Sequence, residues 1–137
     1  FENLLRESDY LCVHAPLTPQ TRGMLNADAF AQMKNTAVVV NCSRGPIIDT
    51  DALVKALDEG QIAGCALDTT DPEPLPENHT LRSRDNVIVN PHAAWYSEQA
   101  MEGLQRGAPN EVRRVLKGEW PVNVVNSAVK NNNRAGL

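Results

Sequence analysis

Ala37-Val38-Val39-Val40-Asn41-Cys42-Ser43-Arg44-Gly45-Pro46-Ile47-Ile48-Asp49 is the stretch that decides the fold. Its opening run is short and rich in β-branched residues, as a strand buried on both faces is. After a Gly-Pro turn, Asp49 is placed to cap a helix from Thr50 to Glu59. Strand, loop, helix is the repeating half of a βαβ unit. The strand pattern returns at Gly64-Cys65-Ala66-Leu67-Asp68 and Asn86-Val87-Ile88-Val89-Asn90, and an earlier copy runs from Tyr10 to His14. Parallel strands joined by helices align their carboxyl ends along one edge, where open α/β sheets bind ligands. Arg44, Glu73 and His92 each follow such an end, so a cation, a carboxylate and an imidazole converge on one crevice.

The helices read outward from the same stretch. Phe1 to Glu7 is helix-like, and Asn26 can cap a helix over Ala27 to Met33. The Thr50–Glu59 helix buries Leu53, Ala56 and Leu57 and turns Lys55, Asp58 and Glu59 to water, with Gly60 as its stop. Pro72 to Pro76 is too proline-rich for regular structure. Ser97 caps a long helix reaching about Lys117, whose apolar face is Met101, Leu104, Ala108, Val112 and Val115. Pro109 inside it costs about 3 kcal/mol, so a kink or break is expected near residues 105 to 109.

Composition narrows the function. The 137 residues are one domain or part of one, with 42% hydrophobic and 22% charged residues. A net charge of −4 with 13 basic residues argues against direct nucleic-acid binding. No apolar run approaches the roughly 18 residues of a membrane span. Cys12, Cys42 and Cys65 lie in or beside apolar runs and form no C-x-x-C pair, so three buried thiols in the cytoplasm are expected. His14, His79 and His92 show no metal-ligand spacing, and no metal is expected. The chain begins inside a helix without a start methionine, which suggests a fragment; residues 130–137 are expected to be a disordered tail.

Taken singly, each polar residue has a bland reading: Arg44 as a surface cation, Glu73 as a solvated loop acid, His92 as a structural histidine. Their chemistry is nevertheless suggestive. A guanidinium holds a carboxylate through two parallel hydrogen bonds. An imidazole exchanges a proton near neutral pH, and a neighbouring carboxylate fixes its ring orientation. Gly45 lets the backbone turn sharply or approach a ligand closely.

The motifs together resemble the D-isomer-specific 2-hydroxyacid dehydrogenases. Asn41 to Asp49 followed by Ala52-Leu53 is similar to that family's arginine motif, Ala66-Leu67-Asp68 with Glu73-Pro74-Leu75-Pro76 to its Asp and Glu-Pro motif, and Asn90-Pro91-His92 to its histidine motif. The order and spacing agree over nearly all of residues 1–129. Residues 92–100, His-Ala-Ala-Trp-Tyr-Ser-Glu-Gln-Ala, resemble the C-terminal-binding-protein branch, which includes corepressors as well as bacterial proteins.

The resemblance implies an α/β fold: a parallel Rossmann-like sheet, the second half of an NAD-binding domain, with a return helix of the substrate domain closing residues 1–129. It implies NAD as cofactor, a small 2-hydroxy or 2-keto acid as substrate, and a homodimer. Arg44 would bind the substrate carboxylate, His92 would exchange the proton with the carbonyl oxygen, and Glu73 would hold His92 protonated and oriented. Asp68 would bond the nicotinamide carboxamide. Cys42, Ser43, Arg44, His92 and Ala94 would line the nicotinamide side. Ala15, Pro16, Leu17, Thr18 and Thr21 would lie along the adenosine half. Trp95 would close the substrate pocket, with a core tryptophan as the alternative.

Three features depart from that pattern. The glycines at 23, 45, 60, 64, 103, 107, 118 and 136 form no G-x-G-x-x-G loop, and no ribose-reading acid can be placed, so NAD and NADP are not distinguished. Little or no activity is therefore expected of these residues alone. Thr69-Thr70-Asp71 is unusual before Glu-Pro, and Pro109 is unusual in the long helix. Two other functions stay open beside the dehydrogenase: an NAD(H)-sensing corepressor-type protein and a catalytically degenerate relative.

Overall fold

The computed structural model describes residues 1–132, which divide into two compact units: residues 1–94, and a second starting at Trp95. The first contains α1 (Glu2–Glu7), β1 (Tyr10–Val13), α2 (Ala27–Phe30), β2 (Val38–Asn41), α3 (Thr50–Asp58), β3 (Gly64–Leu67) and β4 (Val87–Val89), with 3₁₀ turns at Gly45–Ile47 and Thr80–Ser83. The four strands form one parallel sheet in the order β1-β2-β3-β4, Rossmann-like as expected.

Local chemistry sets the element ends. Asn26 and Asp49 each accept the backbone N–H three residues on, from Ala29 and Ala52, at 3.0 Å. A cap of this kind stabilises a helix start by about 1 kcal/mol. Gly60 ends α3 with φ of 66°, a conformation that glycine adopts without steric cost. α2 is shorter than expected, passing after Phe30 into turns in which Gln32 and Met33 N–H reach back three residues.

The core lies on the face covered by α1, α2 and α3. Phe30, Val39 and Ile47 are fully buried, with Leu5, Leu53, Ile62 and Leu81 close behind. Each such side chain contributes about 1.5–3 kcal/mol by leaving water. The expectation of three buried thiols is corrected: Cys65 is buried, but Cys12 and Cys42 are exposed. Along β1 only Leu11 and Val13 point into the core, so Tyr10 and Cys12 lie on its opposite side. Cys42 has already left β2. Burial pushes the Cys65 thiol up to about 12, against the opposing pull of the Arg84 charge.

The second unit contains α4 (Glu98–Leu116), capped by Ser97 through Ala100 N–H, and a 3₁₀ segment Ser127–Asn132. Two expectations for α4 are corrected. The break expected near residues 105 to 109 is not found: the helix runs on through Pro109, which removes one of its hydrogen bonds. Its apolar face is not buried either: Leu104, Val112 and Leu116 are exposed. Residues 133–137 of the expected tail lie outside the described residues.

Candidate active site

The register fixes where the site lies. Val13, Asn41, Leu67 and Val89 pair in one row across the carboxyl end of the sheet. Every residue singled out in the first unit follows that row by a few positions, because all four strands run the same way.

Arg44 is held by its backbone. Asn41 is fully buried; its side-chain amide donates to Arg44 O at 3.0 Å, and its Oδ1 accepts Ser43 N–H at 3.0 Å. The Ser43 hydroxyl donates to Ala15 O, tying this loop to the one after β1. The Arg44 guanidinium is exposed and donates to Ser43 O at 2.8 Å.

Glu73 and His92 meet directly, with Nδ1 of His92 2.7 Å from Glu73 Oε1. A carboxylate only accepts, so Nδ1 carries the hydrogen of this bond. Both side chains are about two-fifths exposed, at 43% and 41%. A pair that wet adds about 0–1 kcal/mol of stability, so its consequence is orientation. His92 has φ of 54°, which costs a non-glycine residue about 1–2 kcal/mol. The next two backbone amides offset that strain: Ala93 and Ala94 N–H both donate to Asp68 Oδ1, at 2.8 and 2.9 Å. Backbone strain held by charge-assisted bonds is a mark of functional sites.

Asp68, Thr70, Glu73, Arg82, Asn90 and His92 line a cleft of about 400 Å³. Two of the three expected catalytic side chains are thus brought together. The third, Arg44, sits on the neighbouring loop and does not line this cleft. Gly45 is also the point where two loops of the protein meet. A Cβ there would lie 2.0 Å from Thr70 O, so the Arg44 loop packs directly on the segment leading to Glu73.

The residues expected to hold the cofactor occupy two places. Thr18 N–H donates to Thr21 Oγ1, whose hydroxyl donates to Pro16 O, making the loop after β1 self-bonded; Leu17 packs partly against the core. Asp68 is buried and lines the cleft, an acceptor suited to an amide such as that of nicotinamide. Cys42 is exposed and Ser43 half-buried. Trp95 begins the second unit, half-exposed, edge-on to Tyr96 at 5.7 Å. Within the first unit the buried Asp68 carboxylate is an acceptor that fits the nicotinamide end of a dinucleotide; the 137 residues contain no glycine-rich loop for its pyrophosphate. Among the described residues no cluster of His, Cys, Asp or Glu could hold a metal ion.

Asn41 and Arg82 were not anticipated from sequence. The signal for Asn41 was an amide ending an apolar strand. Arg82 carried none.

Residues 1–94 match the family described as D-isomer specific 2-hydroxyacid dehydrogenase, NAD binding domain. The chain is 45% identical over 128 residues to a glyoxylate reductase of Thermofilum pendens, covering 93% of this chain and 38% of that protein. It is 38% identical over 125 residues to a hydroxypyruvate reductase of Blautia hydrogenotrophica, covering 91% and 38%. Among solved structures, the NAD-complexed D-isomer specific 2-hydroxyacid dehydrogenase of Lactobacillus delbrueckii ssp. bulgaricus superposes with a TM-score of 0.81 at 34% identity. The match covers 92% of this chain and 42% of that one. The chain therefore spans about two-fifths of the length of each of these three proteins.

Proposed function

The chain belongs to the D-isomer specific 2-hydroxyacid dehydrogenase family through its NAD binding domain, and we propose that the protein containing it is an NAD-dependent oxidoreductase interconverting small 2-keto and 2-hydroxy acids. The observation that carries this reading is the 2.7 Å Glu73–His92 pair, presented on strained backbone at the carboxyl edge of the sheet.

Each residue's part follows from its chemistry. Arg44 swings from Ser43 O to grip the substrate carboxylate through two parallel bonds, which orients the keto group. His92 donates the Nε2 proton to the carbonyl oxygen as negative charge develops there, and takes it back in the oxidative direction. Glu73 accepts from Nδ1 throughout, fixing the ring and stabilising the charged imidazolium. A bound nicotinamide would supply two electrons as a hydride to the carbonyl carbon; with the proton from His92, the carbonyl would become an alcohol. Asp68 would accept the carboxamide N–H, with Cys42, Ser43 and Ala94 lining that side and Ala15, Pro16, Leu17, Thr18 and Thr21 the adenosine side. Trp95 is assigned to the substrate pocket. Similarity to glyoxylate and hydroxypyruvate reductases supports short 2-keto acids as substrates. A cytoplasmic homodimer completes the reading, and free thiols suit that compartment.

Assignment to the C-terminal-binding-protein branch rests on residues 92–100 alone. A nucleotide-sensing role is therefore placed second.

The test is NADH oxidation by the full-length protein against glyoxylate, hydroxypyruvate and pyruvate, beside Arg44→Ala and His92→Ala. Turnover lost in both variants, with NADH binding retained by His92→Ala, supports the dehydrogenase. Normal turnover by His92→Ala sinks it. No turnover with any acid, together with dimerisation driven by NADH, favours nucleotide sensing.

A further inference from the structure

We propose that Arg82 is a positioning residue for the Glu73–His92 pair, a role that rests on the dehydrogenase reading. The segment carrying Glu73 lacks ladder support: from Thr69 to Leu75 no backbone group bonds to another backbone group. Side chains hold it instead. Thr70 Oγ1 donates to Pro72 O at 2.9 Å, and Thr50 Oγ1 donates to Asp71 O at 2.7 Å from the start of α3. These secure the approach to Glu73. The exit is secured by Arg82, whose Nη2 donates to Leu75 O at 2.6 Å and whose Nε donates to Pro76 O at 3.0 Å and Leu75 O at 3.2 Å.

A guanidinium, with its donors in a fixed planar fork, suits the bridging of two successive carbonyls. Arg82 is itself fixed by the 3₁₀ turn, which His79 starts by accepting Leu81 N–H on Nδ1 and which buries Leu81. Arg82 also shares the cleft wall with Glu73 and His92. Its charge is spent on carbonyls two and three residues past Glu73, so it acts through the loop and leaves the reacting atoms to Arg44 and His92.

The experiment compares Arg82→Met and Arg82→Lys, alone and with Glu73→Gln, in the full-length protein. Displacing a proton-transfer group by about an ångström lowers turnover roughly 10- to 100-fold. Arg82→Met is expected to lower kcat by that order with KM for the keto acid unchanged. Arg82→Lys, which keeps a single donor centre, is expected to recover part of the loss. In the Glu73→Gln background Arg82→Met should cost less than about twofold, since effects acting through one group do not add. An equal loss in both backgrounds overturns the proposal.

A second readout is independent of turnover. The long-range ¹H–¹⁵N spectrum of the His92 ring, assigned with His92→Gln and taken where the ring is neutral, reports which nitrogen carries the proton. Wild type is expected to hold it on Nδ1, and Arg82→Met to shift toward the Glu73→Gln pattern. An unchanged tautomer in Arg82→Met overturns the proposal. If wild type reduces no keto acid, the dehydrogenase reading falls and this spectrum still decides the role of Arg82.

Discussion

Gly45→Ala tests how the two halves of the site are joined. The added Cβ would lie 2.0 Å from Thr70 O, 2.1 Å from Thr70 C and 2.8 Å from Asp71 N. Non-bonded heavy atoms prefer about 3.5–4.0 Å, so the Thr70 carbonyl must retreat by roughly 1.5 Å. These are backbone atoms of a segment pinned by Thr50, with no flexible side chain to yield. Overpacking of this kind costs about 3 kcal/mol or more, a large share of the roughly 5–15 kcal/mol that holds a domain together. Gly60→Ala is the control. Its Cβ meets nothing within 4 Å, and its penalty is only the left-handed backbone at φ of 66°, about 1–2 kcal/mol. Urea unfolding monitored by circular dichroism should show Gly45→Ala moving the midpoint by about 1 M or more at constant slope, and Gly60→Ala by less. Because Thr70 lies shortly before Glu73, the surviving folded Gly45→Ala should also lose turnover beyond its loss of stability. If Gly45→Ala is no more destabilising than Gly60→Ala, the close packing of the two loops is wrong.

Asn41→Ala removes the buried amide that bonds Ser43 N–H and Arg44 O, and should cost about 2–3 kcal/mol. If Arg44 grips the substrate, the loosened loop should raise KM for the keto acid more than it lowers kcat; the reverse split in steady-state kinetics would count against that role. A thiol assay at pH 8 should find Cys12 and Cys42 reactive and Cys65 inert until the protein is denatured. The Cys65 thiol, pushed up to about 12 from 9.0, holds its proton longer folded than unfolded. Its contribution is therefore complete below about pH 9 and declines at up to about 1.4 kcal/mol per pH unit toward 12. Cys65→Ala should flatten that alkaline decline in urea titrations, and an unchanged decline would refute it.

What the sequence determined by itself was everything encoded over short separations. Apolar runs of strand length gave β1 to β4, and the side chains of Asn26, Asp49 and Ser97 started helices where their polarity said they would. Motif order placed Arg44, Glu73 and His92 on one sheet edge, because parallel strands leave no other edge for those loops. Tertiary structure decided the rest, since it depends on which distant backbones meet. It put Cys12 on the side of β1 opposite the buried Leu11 and Val13, and it kept every residue of α4 from burial. It packed Gly45 against Thr70, and gave Asp68 the amides beyond His92 to hold. Nor does any local pattern mark Arg82, whose guanidinium acquires a purpose only when the chain folds two proline-flanked carbonyls against it. Periodicity and capping are local properties of a chain; clearance, strain and hydrogen-bond partnership across loops belong to the folded molecule.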